Sequence, residues 1–374
     1  MISRIIEKEI KKKLFLLKII ILYWARQVWK TTLSKKIMND YEWKTKYINC
    51  DLFSNQQLLD YKNHNKFLSS FNDFDLVVLD EAQNIENIWI ILKILVETYP
   101  EKQFIATWSS SFDLANKLNE PLTWRNFKFK LYWFSVEELK QNKDIFYINE
   151  QLENLLIYGS YPEVFWVSNE LKQERLNLIA WDYLYRDIFK FEWIKKSNYI
   201  NSILQLLALQ VWSEVSYNEI WQKLWLNHIT VQKYIDILEQ AFIIFRLNSF
   251  SRNLRNEISK WVKIYFWDLW VRNSLIQNYN SLDIRQDKWA IWENFLVIER
   301  QKYINSNMLY RNTYFWRNHA QAEIDYIEEY DWMLHTYEFK WWNKKAKLPS
   351  AFKDAYKENI FEIINKDNYI DFLM

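Results

Sequence analysis

"ILYWARQVWKTTL" (residues 21–33) runs a hydrophobic stretch into Lys30-Thr31-Thr32, the ending of a phosphate-binding loop. The loop pattern is G-x-x-x-x-G-K-[ST], and the chain supplies W-A-R-Q-V-W-K-T, with Trp24 and Trp29 at both glycine positions. The backbone N–H groups of such a loop wrap closely around phosphate oxygens, with dihedral angles suited to a residue lacking a Cβ. An indole at Trp29 competes for the space the phosphate needs. Either the site is dead, or tryptophan is written where glycine belongs.

Composition bears on that choice. The chain has 374 residues with 22 Trp and 1 Gly. Average glycine usage of about 7% predicts roughly 26 glycines in a chain this long, close to the tryptophans and the glycine taken together. A chain almost without glycine loses its easiest route to positive-φ turns and helix ends. "EYDWML" (329–334) separates two alternating runs, where Asp-Gly would signal a hairpin. "QKLWLN" (222–227) puts Trp225 at a helix end, a common place for a left-handed glycine. The pattern fits a gene in which UGA encodes glycine but is translated as tryptophan, and the wealth of Lys, Asn and Ile fits an AT-rich genome. Trp292, Trp316 and Trp341 lie in apolar or strand-like runs and read as genuine. The alternative is a truly Trp-rich protein using aromatics for stacking or core filling.

The length predicts two or three domains. A net charge of +2 allows nucleic-acid binding without demanding it. One cysteine, Cys50, excludes an internal disulfide framework and suits a reducing cytoplasm. "KEIKKKLFLLKIIILYW" is too short and too charged to span a bilayer, and no small-residue cleavage site follows it. It reads as a basic helix entering a buried strand. The expected location is the cytoplasm, away from membranes.

Four apolar segments alternate with helical ones: "KIIILYW", "TKYINCD" (45–51), "FDLVVLDEAQ" (74–83) and "KQFIATWSSS" (102–111). That alternation predicts an α/β fold with a parallel sheet and its site at the strands' C-terminal ends. Trp24, Ala25, Arg26, Gln27, Val28 and Trp29 would form the loop, followed by Lys30, Thr31 and Thr32. Lys30 would reach the β- and γ-phosphates of ATP, and the Thr31 hydroxyl would ligate Mg²⁺. Asp80 is placed to hold the metal's shell, and Glu81 to orient or deprotonate the attacking water. Thr107, Ser109 and Ser110 are placed to report the γ-phosphate. Arg125 in "LTWRNF" is either an arginine finger, in cis or through self-association in trans, or an ordinary surface salt bridge.

Residues 20–140 resemble the ATPase core of a bacterial and archaeal family of AAA-type ATP-binding proteins. That family carries Y-G-A-R-Q-V-G-K-T-T, L-D-E-A-Q, T-G-S-S and L-T-G-R; this chain has "YWARQVWKTT", "LDEAQ", "TWSS" and "LTWR". Every departure is Trp in place of Gly. The resemblance continues through "YGSYPEVF", "KIYFWDLWVRN", "WAIWENFLVIER" and "YFWRNHAQAEIDYI", and the one written glycine, Gly159, falls where the family also has glycine.

In the middle, "VSYNEIWQKLWLNHITVQKYIDILEQAFIIFRL" (215–247) reads as helix, turn, helix and apolar strand, a winged-helix-like pattern. Ile220, Leu224, Val231, Ile235 and Leu238 form its core stripe, with Thr230, Gln232, Lys233 and Tyr234 near the outer face of the second helix. DNA reading and a lid or protein contact both fit this segment.

Near the C-terminus, a two-residue loop at Asp331-Trp332 makes residues whose numbers sum to 663 face each other. Asp325 then opposes Glu338 and Glu323 opposes Lys340, all four on one sheet face, with Ile324, Tyr326, Tyr337 and Phe339 on the other. Opposed carboxylates are destabilising unless something positive intervenes, and a divalent metal would serve. The set resembles the restriction-endonuclease-like fold, an α+β architecture. Its carboxylates, here Asp325, Glu338 and the helical Glu293, hold Mg²⁺ or Mn²⁺, and Lys340 would help activate water. A salt-bridged surface hairpin and a decayed nuclease retained for binding are the alternatives. The expected organisation is an AAA-type ATPase core (1–150), a helical, winged-helix-like lid (151–250) and a nuclease-like domain (251–374). The expected activity is Mg²⁺-dependent ATP hydrolysis. The alternatives are an ATP-regulated DNA nuclease or, with literal tryptophans, a non-catalytic DNA- or protein-binding module.

Overall fold

The computed structural model describes residues 2–24, 30–62, 64–108, 124–188, 197–211, 217–252 and 262–374. The chain divides into two compact units, Met1–Trp133 and Phe134–Met374.

The first unit is built on β1 (Ile19–Trp24), β2 (Thr45–Asn49), β3 (Leu76–Asp80), β4 (Gln103–Trp108) and β5 (Asn126–Leu131). They form one sheet in the order β2-β3-β4-β1-β5, with every pair parallel. The runs Ile19–Ile21 and Leu76–Leu79 are fully buried, as unbroken apolar strands covered on both faces must be. Each such side chain contributes about 1.5–3 kcal/mol by leaving water. The basic segment before β1 is the helix Ile6–Lys12, as expected. Glu7 on it draws in Lys11 at 2.7 Å and Lys36 at 2.8 Å, tying it to the helix Lys30–Asn39. Between the first and fourth expected strands the sheet matches the sequence reading; β5 was not foreseen.

The second unit carries a six-stranded mixed sheet of β6 (Ile244–Ser249), β7 (Val262–Phe266), β8 (Asn312–Arg317), β9 (Glu323–Tyr330), β10 (Met333–Phe339) and β11 (Asn359–Ile364). Its order is β11-β10-β9-β8-β6-β7. The helix-turn-helix pattern is realised as Tyr217–Leu224 and His228–Gln240, and the strand after them, β6, joins the C-terminal sheet. Ile220, Val231, Ile235 and Leu238 are buried as the stripe requires, while Leu224, the last residue of its helix, is half-buried. Tyr234 is a correction: it is buried rather than on the outer face, because its ring follows the stripe's inner edge. The long helix Lys288–Ser306 is buried along most of its length.

The β9–β10 hairpin has the expected register, with Met333 opposite Tyr330 and Tyr337 opposite Tyr326. Asp331 (φ 51°) and Trp332 (φ 63°) both adopt left-handed backbone, the pattern of a type I′ turn. Trp225, just past the helix Tyr217–Leu224, is left-handed as well (φ 54°), and so is Trp124 (φ 68°). The indoles of Trp332, Trp225 and Trp124 are 95%, 92% and 86% exposed respectively. Trp292, Trp316 and Trp341 are instead buried, and the Trp292 ring N–H donates to the Lys340 carbonyl at 3.0 Å. Gly159 has φ 70°, and a Cβ there would lie 1.8 Å from Asp268 Oδ1. No other residue fits that position.

Candidate nucleotide site and a buried carboxylate cluster

β3 carries four apolar residues and then Asp80, delivering a buried carboxylate to the C-terminal end of the sheet. Because β3 neighbours β4, and β4 neighbours β1, the residues that end these strands converge. Thr107 on β4 donates its hydroxyl to Asp80 Oδ1 at 2.5 Å, and Thr31 donates to Oδ2 at 3.2 Å. Lys30 Nζ lies 3.8 Å from Asp80 Oδ1 and forms an ion pair with Glu81. Glu81 itself is left-handed (φ 55°) and its N–H donates to Thr107 Oγ1 at 2.9 Å, which turns its side chain away from the strand's alternation. Gln83 Nε2 donates to the Glu81 carboxylate at 2.5 Å. The structure therefore brings Lys30, Thr31, Asp80, Glu81 and Thr107 together, with Thr32 next in the first turn of the helix Lys30–Asn39.

Tyr47 was missed by sequence reasoning. Its hydroxyl donates to Asp80 from the neighbouring strand β2, and burial, then that carboxylate, raises the phenol above its usual range. The only sequence signal was a polar-tipped residue in a strand otherwise read for its apolar content. Cys50 is buried and its thiol is pushed up to about 12 by burial and then by Asp80 and Asp51, so it stays protonated at neutral pH.

Ala25, Arg26, Gln27, Val28 and Trp29, with Ser109 and Ser110, lie outside the described residues; Trp24 is described as the last residue of β1. Trp108 ends β4 as a buried side chain stacked on Trp89 at 4.7 Å. Arg125 sits just before β5, where its carbonyl accepts the Ile19 N–H at 2.9 Å. That is the strand-entry edge of the sheet. The six residues of β1 separate it from the phosphate-loop edge by roughly 20 Å. Its guanidinium forms a half-exposed ion pair with Glu97 at 3.0 Å. A finger in cis is corrected by this placement; the surface salt bridge is what the geometry contains.

The second unit gathers the hairpin carboxylates. Asp325 accepts the Phe339 N–H at 2.7 Å, and Tyr326, Tyr337 and Phe339 pack together with Phe372 as expected. Ile324 is a correction: the β8–β9 register shifts between Tyr314 and Trp316, and Ile324 packs instead with Ile327, Leu334 and Phe352. Burial, then repulsion from Glu293 and Glu338, holds the Asp325 carboxyl well above the usual range. Glu293, from the helix Lys288–Ser306, is raised by its burial against the opposing pull of Lys263. Lys340 pairs with Glu338 at 2.5 Å rather than with Glu323, which is held by Lys263 and by Arg317 at 3.7 Å.

Beside the expected metal ligands Glu293, Asp325 and Glu338 the structure places a cation of the chain's own. Among the described residues no group of three or more His, Cys, Asp and Glu side chains is arranged to hold a metal ion. Lys263 supplies positive charge there. Its side chain is 1% exposed and lies 2.9 Å from Glu293, with a second ion pair to Glu323. Burial works to lower its pKa, but Glu293, Asp325 and Glu323 together raise it, so the ammonium is held. Tyr265 completes the shell with a 2.7 Å bond to Glu293. Lys263 escaped the sequence reading because nothing in "WVKIYFW" distinguishes it from a strand-edge lysine.

Comparison with known proteins agrees with the first unit's architecture. Residues 17–140 match a family model described as an AAA domain, residues 149–282 a domain of unknown function (DUF8612), and residues 289–368 another (DUF4143). The chain is similar to an uncharacterized protein of Mycobacterium tuberculosis, 23% identical over 269 residues covering 71% of this chain and 58% of the relative. An uncharacterized protein of Haemophilus influenzae is 22% identical over 243 residues, covering 62% and 60%. The chain thus spans about three fifths of these relatives' lengths. Among solved structures, the Aeropyrum pernix ORC1 protein in complex with DNA aligns at 12% identity and a TM-score of 0.28, over 70% of this chain and 87% of that one. Drosophila ORC bound to AT-rich DNA and Cdc6 aligns at 7% and 0.26, over 73% and 92%. Those two likenesses carry no argument about fold or ligand. An AAA-type ATP-binding domain is present, followed by two uncharacterised domains. Among the described residues no helix is long and apolar enough to cross a membrane.

Proposed function

We propose that this protein is a Mg²⁺-dependent ATPase whose N-terminal unit works with a nuclease-like C-terminal one. The observation that carries the reading is the convergence of Lys30, Thr31 and Thr107 on Asp80, with Glu81 beside them. A hydroxyl and a carboxylate 3.2 Å apart suit the two sides of one Mg²⁺ shell, so Thr31 and Asp80 are the residues that would hold it. The ion would polarise the phosphate oxygens. Lys30 would exchange Glu81 for the phosphates, which frees Glu81 to accept a proton from water; Thr107 fixes both acids in place. Arg125 would act in trans if the protein self-associates.

The reading includes glycine at most written tryptophans, the phosphate-loop positions 24 and 29 first. It is supported by Trp124, Trp225 and Trp332, which hold left-handed backbone while their rings reach solvent. The test is ATP binding and turnover by protein with glycine at positions 24 and 29. It should bind Mg-ATP; the literal sequence should not. Lys30→Ala should abolish binding and Glu81→Gln should keep binding while losing hydrolysis. Equal turnover by the Glu81→Gln variant would show that the catalytic acid lies elsewhere.

A second reading, metal-dependent DNA cleavage regulated by ATP, draws on the approach of Glu293, Asp325 and Glu338 with Lys340 alongside. Lys263 weighs against it, since a cation must leave or share that space before a metal enters. The third, a non-catalytic DNA- or protein-binding module, follows if the tryptophans are literal.

A further inference from the structure

Between Phe339 and Lys353 the chain has five lysines and no acid, although its overall net charge is only +2. Four of them, Lys340, Lys344, Lys345 and Lys347, occupy the stretch that leaves β10 immediately after the Glu338–Lys340 pair. The fold adds cations from elsewhere in the sequence. Lys288, at the start of the helix Lys288–Ser306, lies 4.3 Å from the centre of the Trp341 ring, and Lys366, just past β11, lies 4.6 Å from it. Two hydrogen bonds to the Lys340 backbone fix this gathering. The Trp292 ring N–H on that helix bonds the Lys340 carbonyl at 3.0 Å, and the Lys340 N–H bonds Ile364 at the end of β11 at 2.8 Å.

Three segments distant in sequence therefore raise a rim of lysines beside the carboxylate cluster. Lys344, Lys345, Lys347 and Lys366 are exposed, and among the described residues none of these or Lys288 has a carboxylate in ion-pair contact. Several lysines elsewhere are paired, as Lys11 and Lys36 are with Glu7 and Lys223 with Glu219. Gathering like charges without counter-ions costs stability, which a polyanion repays.

We infer that this rim binds the phosphate backbone of a nucleic acid and lays it across the mouth of the Asp325–Glu338 cluster. The inference rests on the nuclease-like reading of the second unit, and it names the partner of that site. A phosphate track needs cations spread along a ridge, which three converging segments provide. An anionic membrane surface would instead want an amphipathic face, whereas Trp341 here is turned inward and only Trp342 is exposed.

The experiment measures fluorescence anisotropy of a short labelled DNA duplex with the full chain in EDTA, over a salt series. The Lys344→Glu/Lys345→Glu/Lys347→Glu variant should bind at least about tenfold more weakly. Its slope of log affinity on log salt should flatten by roughly 2–3, about 0.9 for each phosphate no longer neutralised. Lys233→Glu, on the winged-helix-like segment, should leave both unchanged. Unchanged binding by the triple variant overturns the inference. So does a loss caused equally by Lys233→Glu, or capture by phosphatidylserine vesicles in preference to the duplex. Cleavage with Mn²⁺ is scored in parallel. Binding that depends on the rim but gives no cleavage upholds the rim and rejects only an active nuclease. Cleavage that survives loss of the rim upholds the nuclease and rejects the rim.

Discussion

Trp332 and Gly159 show at single positions what the backbone demands. Left-handed backbone costs a residue with a Cβ roughly 1–2 kcal/mol, and Trp332 bears that cost with its ring 95% in solvent, where it gains little from burial. Trp332→Gly should therefore stabilise the second unit by about 1 kcal/mol, read as a higher denaturant midpoint at unchanged slope. A lower midpoint would mean that the indole contributes a contact, and would remove the turn from the glycine reading. At the gene, UGG codons at Trp24, Trp29, Trp108, Trp124 and Trp332 would sink that reading altogether. Trp108 is the weakest member of this set, since it is buried against Trp89 and its backbone makes no demand for glycine.

Asp268 belongs to the same scale. It receives the Ser160 N–H at 2.9 Å beside Gly159, and burial raises its carboxyl to about 6. The folded chain thus keeps a proton that the unfolded chain releases near pH 4, so this contribution to stability is present in acid. It is lost as the pH rises from about 4 to about 6, by up to roughly 3 kcal/mol. Stability of the wild type relative to Asp268→Asn should fall across that window, measured by denaturant titration at each pH. Parallel curves would show that the carboxyl is not shifted.

At the scale of elements, the hairpin and the strand β7 define the second cluster together. β9 and β10 pair as far as Tyr326 and Tyr337 and bring the Asp325 carboxylate to the Phe339 N–H, and β7 inserts Lys263 among the acids. Removing one partner of a buried ion pair costs about 3–5 kcal/mol because the other charge is left uncompensated. Lys263→Met keeps the volume and removes the charge, so it should lower the melting temperature. Mn²⁺ should then restore stability to the variant while shifting the wild type little. An equal Mn²⁺ shift in both proteins would show that Lys263 does not stand in for a cation.

The two units allow their chemistry to be separated. Every side chain gathered at Asp80 comes from the first unit, and the Asp325 cluster is made wholly within the second. Asp325→Ala should abolish any Mn²⁺-dependent cleavage and leave ATP turnover unchanged in the glycine-restored protein. A turnover loss with intact folding would reveal coupling between the units that separate sites do not require.

By itself, the sequence determined whatever depends on local pattern. Unbroken apolar runs specified the parallel strands β1, β3 and β4, because a strand buried on both faces tolerates no polar alternation. The Asp-Trp turn specified the hairpin register as far as Tyr326 and Tyr337, since one residue of slip would have exchanged the faces of Asp325 and Tyr326. Lys30, Asp80 and Glu81 were legible because each sits at a fixed offset from a strand end. Only the tertiary structure decided which residues from other segments would meet them. Tyr47 reaches Asp80 through the pairing of β2 with β3, and Lys263 enters the carboxylates from a strand more than fifty residues before the hairpin. For Arg125 the sequence left a finger and a surface salt bridge equally open, and parallel pairing sets it at the entry edge of the sheet beside Glu97. Such meetings depend on strand order and direction, which no local spacing encodes.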